Sequence, residues 1–114
     1  MERLAASVAA HGMTVFARID HEAGAAEAGM SLRPTEVLIF GNPKGGTPLM
    51  QAAQTMGIDL PLKALVYQDE AGKTWIAYND PRWLAARHGA ARGHEKLLEV
   101  LTNALETVVK DAAA

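Results

Sequence analysis

The sequence predicts an α+β domain in which an antiparallel sheet packs against helices. Two strand-like runs, Leu62–Gln68 and Lys73–Asn79, are separated only by Asp69-Glu70-Ala71-Gly72. A connection that short joins antiparallel strands, because a parallel pair needs a crossover of a dozen or more residues. Around this hairpin, segments of helical period alternate with further strands, and amphipathic helices need a sheet face to cover. The chain has 114 residues, which suits a single domain, here 1–114, with one core that needs no covalent staple.

Each element carries its own signals. Residues 2–11 read as a short helix with Leu4 and Val8 one turn apart, and Gly12 stands where a left-handed residue closes a helix. Thr14–Asp20 alternates, which puts Val15, Ala17 and Ile19 on one face of a half-buried strand. Asp20 is placed to cap a brief alanine-rich helix that runs to about Gly29. Glu36–Gly41 is a continuous apolar run, as expected of an interior strand covered on both faces. Asn42–Gly46 reads as a loop, and Thr47-Pro48 as N-cap and first residue of a helix that Gly57 ends. Asp80-Pro81 repeats the cap-and-proline start for a helix to about His88. Leu97, Leu101, Leu105 and Val108 form the buried stripe of a final helix over about 93–110, after which Ala112–Ala114 is expected to fray.

Composition excludes several functions. There is no Cys, so disulfides, thiolate metal sites and a Cys nucleophile are ruled out. Thirteen acidic against eleven basic residues give a net charge of −2, the wrong sign for a duplex-binding surface. No apolar run approaches the roughly 20 residues that span a bilayer, and Met1-Glu2-Arg3-Leu4 does not open a signal peptide. The expected location is the cytoplasm. Neither Ser7 nor Ser31 lies in a nucleophile elbow. His11, His21, His88 and His94 show no ligand-pair spacing, so no metal or other cofactor is expected.

Three places carry candidate chemistry. The Asn42-Pro43-Lys44-Gly45-Gly46-Thr47 segment joins a strand to a helix start, where free N–H groups and Lys44 could hold an anion; the alternative is a plain turn. Asp20-His21-Glu22 sets a His between carboxylates, a weak acid–base candidate beside the simpler reading of a helix cap and a solvated His. Tyr78, Asn79 and Trp83 flank Asp80, a second weak acid–base candidate. They are placed to line the far end of a ligand cleft or to pack in the core or an interface.

Gly12–His21, Phe40–Met50 and Ile58–Val66, followed by Tyr78-Asn79-Asp80-Pro81, together resemble the DUF302 family of small bacterial proteins over roughly residues 2–110. The resemblance implies a curved antiparallel sheet gripping a helix, similar to the TATA-binding-protein architecture, and a homodimer. It implies no activity, since the family's function is undefined. Relatives carry a further strand ahead of the first helix, whereas Met1 here falls inside that helix. Either the chain is shortened or it lacks an edge strand, and pairing across the open edge is one route to a dimer. The expectation is a cytosolic homodimeric binding or accessory domain for a small anionic or aromatic molecule. The alternatives are a cofactor-free acid–base enzyme using His21 with Asp20, or Asp80, and an interaction module with no ligand.

Overall fold

The computed structural model describes residues 1–114. Helix α1 (Glu2–Ala10) leads to strand β1 (Thr14–Asp20), helix α2 (His21–Glu27) and strand β2 (Thr35–Gly41). Helix α3 (Pro43–Ala52) and a 3₁₀ segment (Gln54–Ile58) follow, then the hairpin β3 (Leu62–Gln68) and β4 (Thr74–Tyr78). Helices α4 (Pro81–Arg87) and α5 (Glu95–Ala113) complete the chain. The four strands form one antiparallel sheet in the order β1-β2-β3-β4, so the predicted fold class holds.

The helix ends follow the chemistry read from the sequence. Gly12 takes φ +77°, and the amides of Gly12 and Met13 reach back to the carbonyls of Ala9 and Val8, the paired bonds of a Schellman motif. Asp20 caps α2, its Oδ1 accepting from Ala23 N at 3.0 Å, and Asp80 caps α4 through Arg82 N at 2.8 Å.

Pairing register assigns the two faces of the sheet. Leu38, Phe40, Leu62 and Ala64 share the face beneath the helices and are all buried, with Leu4, Val8, Leu49, Met56, Leu84, Leu98, Leu105 and Val108 packed over them. Ser7 Oγ donates to Val108 O at 3.0 Å and so locks α1 to α5. Ala17, Ile19, Val37, Ile39, Leu65 and Ala77 lie on the outer face, and none belongs to the core or packs against it. Strand β2 is therefore covered on one face, not two. Its uninterrupted apolar pattern reflects a second face that this chain leaves only partly covered.

Three other local expectations are corrected. A β-bulge between Val15 and Ala17 leaves Phe16 without a partner and sets Val15 opposite Phe40, so Val15 does not share a face with Ala17 and Ile19. Strand β1 is a nearly fully exposed edge. The α3 start moves five residues earlier: Asn42 is the N-cap, accepting from Lys44 N at 2.9 Å, with Pro43 first in the helix and Pro48 inside it. Asn-Pro satisfies the same cap-and-proline rule as Thr-Pro, whereas Pro48, inside the helix, makes no backbone N–H bond and its ring crowds the carbonyl four residues before it. Finally, α5 runs through Ala113 and its end does not fray, since Ala112 is buried against the core.

Candidate functional site

A groove of about 480 Å³ opens where four pieces of the chain meet. They are the first turns of α3, the Leu97–Ala104 stretch of α5, the start of β1 with Met13 and Phe16, and Leu60-Pro61. Its walls are mostly aliphatic or thioether. On α5, Leu97, Leu101 and Ala104 turn away from the central stripe of Leu98, Leu105 and Val108 to form one wall. The predicted stripe was thus two adjacent faces, one for the core and one for the groove.

Gly45 and Gly46 lie in this wall for a packing reason rather than a turn. A methyl group on Gly45 would stand 2.9 Å from Leu101 Cδ2, and one on Gly46 would stand 3.5 Å from Leu60 Cδ1. Glycine inside α3 lets the helix approach α5 and the Leu60-Pro61 segment closely.

Of the predicted ligand residues, the structure brings Asn42, Lys44, Gly45, Gly46 and Thr47 together in the groove. It does not bring Tyr78, Asn79 and Trp83 there. Tyr78 ends β4, at the opposite edge of the sheet from β1, and Trp83 sits exposed on α4 with the Arg87 guanidinium 5.3 Å from its ring. The expected cradle of free amides is also absent. Lys44 N bonds Asn42 Oδ1, and the amides of Gly45 and Gly46 bond Asn42 O, because the helix begins at Pro43. Any charge recognition at this end falls to side chains. The ionisable lining groups are Lys44 and His11, with no carboxylate among them. His11 is engaged, its Nδ1 donating to Ser7 O at 2.7 Å and its Nε2 3.3 Å from Asp111 Oδ2. Lys44 makes no ion pair.

The acid–base candidates are dispersed. Asp20 and Asp80 spend a carboxylate oxygen on helix caps, and His21 is exposed with no bond to Asp20 or Glu22. Besides His11, the histidine that finds a carboxylate is His88. Its Nε2 donates to Asp59 Oδ2 at 2.5 Å, and its Nδ1 lies 3.0 Å from Thr55 Oγ1. The bond from His88, aided by Arg87 at 3.5 Å, holds the Asp59 carboxyl below its ordinary value. These residues are 29 and 33 positions apart in sequence, so no local spacing announces them. The arrangement ties the 3₁₀ segment to the end of α4. It lies outside the groove, whose wall begins at the next residue, Leu60. No three His, Asp or Glu side chains gather as a metal site requires.

A four-stranded antiparallel sheet packed against helices, with an aliphatic groove where β1 begins and β2 ends, defines the class: a small α+β domain with a groove. The chain belongs to the family described as "Domain of unknown function DUF302", whose model matches residues 1–108. Its fold matches the crystal structure of an uncharacterized conserved DUF302 protein from Bacillus stearothermophilus. The TM-score is 0.85 and the identity 22%, over 97% of this chain and 86% of the other. Over 113 residues the chain is 49% identical to proteins of Brucella suis and Brucella melitensis named fluoride-specific ion channel FluC 1 and FluC 2. It covers 99% of itself but only 44% and 42% of those proteins, so it spans less than half the length of the curated relatives it matches. No helix of the chain is long and apolar enough to cross a membrane.

Proposed function

We propose that this chain is a cytosolic, homodimeric binding or accessory domain that holds a small, mostly apolar anion in the groove between α3 and α5. The observation that carries the reading is the lining itself: aliphatic walls, Lys44 without an ion pair at the rim, and no carboxylate. A cavity of this size with few polar groups is the usual form of a small-molecule site. Native mass spectrometry of freshly purified protein, set against its denatured mass, tests it. The expected result is a dimer carrying a reproducible non-covalent adduct that Lys44→Ala loses at unchanged thermal stability. Retention of the adduct by Lys44→Ala removes the assigned site.

The dimer is supported by the outer sheet face. Ile19 and Trp75 are 43% and 42% exposed there, beside the half-buried Val37, Ile39 and Leu65, in a strand patterned for two-sided burial. Ile39→Asp at the centre of this face is expected to give a folded monomer; an unchanged dimer would move the interface elsewhere, the exposed β1 edge being next.

A second reading rests on the relatives' names. In the proteins named as fluoride channels, this domain would accompany a channel whose membrane-crossing part lies in the half this chain does not cover. Here it would act as the accessory part of such an assembly.

A further inference from the structure

Resting on the binding reading above, we infer that the groove's ligand is an unbranched alkyl carboxylate, a medium-chain fatty acid, and not an aromatic acid. Phe16 is the sole Phe, Tyr or Trp in the lining, and the one other ring, His11, is held by Ser7 O and Asp111, so the groove offers no pair of large aromatic faces to sandwich a planar ligand. The walls are Leu, Val, Pro and the two methionines Met13 and Met50, whose flexible thioethers adapt to a chain of variable conformation. The aromatic side chains that a flat ligand would use, Trp75, Tyr78 and Trp83, all lie elsewhere.

The groove is also elongated. Its α5 wall runs from Leu97 through Leu101 to Ala104. The seven residue-to-residue rises from Leu97 to Ala104 cover about 10 Å, the length of an extended chain of roughly eight carbons. Polarity is graded along the depth. Lys44 and Thr47 are exposed at the mouth, whereas Leu62 is buried and Leu60, Leu101 and Met50 are half-buried. That places a charged head in water beside Lys44 and an alkyl tail against the aliphatic wall. With the α3 amides already bonded to Asn42, the head is read by one exposed cation, which suits a single carboxylate better than a phosphate. The outward-facing Val100, 58% exposed on α5 beside the groove, adds apolar surface for the far part of the chain.

The test is calorimetric titration of the full chain with n-hexanoate through n-tetradecanoate, kept below their aggregation concentrations. The comparison ligands are 1-decanol, decyltrimethylammonium, benzoate and 2-naphthoate. Affinity is expected to rise about fourfold per methylene while the tail stays in the groove, and to level off beyond about ten carbons. Decanoate should exceed decyltrimethylammonium by about fivefold, and Lys44→Ala should erase that preference while keeping the rise with chain length. Val100→Asp, a surface substitution that leaves the core intact, should weaken the longer chains more than hexanoate. Tight binding of naphthoate with no dependence on alkyl length overturns the fatty-acid assignment and leaves the binding reading standing. Binding of no ligand in the series, with folding confirmed by circular dichroism, overturns the fatty-acid assignment; an adduct in native mass spectra would then show that the groove takes another class.

Discussion

Removing the Asp59–His88 pair should destabilise the domain by an amount that a double-mutant cycle can isolate. Both side chains are largely withdrawn from water, 18% exposed for Asp59 and 10% for His88, and they meet in a short charge-assisted bond. Such bonds contribute about 1.5–3 kcal/mol. A coupling of about 2 kcal/mol is therefore expected between Asp59→Ala and His88→Ala, with each single change costing more because it strands the partner. For a chain of this size the coupling corresponds to about 8 °C in Tm. The assay is urea unfolding of the four proteins at pH 7, followed by tryptophan fluorescence. The dependence on acidity has a fixed sign. The Asp59 carboxyl is held below its ordinary value of 3.8 in the folded chain, mainly by the bond from His88. Its contribution is thus complete above that value and is lost as the pH falls through the folded one. Effects of the two substitutions that simply add, within about 0.5 kcal/mol, would refute the reasoning.

Two further changes probe single interactions. Thr102 is buried on α5 and its Oγ1 has no hydrogen-bond partner, so Thr102→Val, which keeps the shape and removes the orphaned hydroxyl, should stabilise by about 1 kcal/mol in urea unfolding. Asp69 accepts from the Trp75 indole N–H at 2.8 Å and from the Lys73 and Ala71 amides, which hold its carboxyl below 3.8. An acid titration of Trp75 fluorescence in a Trp83→Phe background should therefore show a step below pH 3.8, present above it and lost on acidification, that Asp69→Asn abolishes.

The elements were legible because each is written locally. Gly12 at a helix end, Asp20 and Asp80 as caps, and the short hairpin loop all act over a few residues. Missed features depended on what comes from far away. Nothing near Thr47-Pro48 weakens it as a helix start; Asn42-Pro43 simply does the same job earlier, and Gly45 and Gly46 then fit inside α3 because Leu101 and Leu60 press on them. The bulge at Phe16 belongs to the pairing with β2 rather than to β1. The Asn42–Thr47 motif marked residues that do line the groove. Tyr78, Asn79 and Trp83 lie away from it, because adjacency to the hairpin does not say which edge of the sheet a residue reaches.

The same reasoning links the tie at Asp59 to the groove. Asp59 immediately precedes Leu60-Pro61, which joins by a cis peptide bond and forms part of the groove wall. The carboxylate is anchored to α4 through His88 and Arg87, while Leu60 packs closely on Gly46 of α3 in the groove wall. The position of that wall is thus set from outside the site by a polar contact and from inside by the absence of a side chain on a helical glycine. Two kinds of substitution should separate these roles. His88→Ala loosens the anchor without touching the lining, so it should lower affinity for every ligand in the groove by a similar factor. Gly46→Ala inserts a methyl group at ordinary contact distance from Leu60, 3.5 Å, and should instead discriminate by ligand bulk, sparing slender chains. An identical selectivity profile for both variants would mean that the wall is not held in the way its contacts indicate.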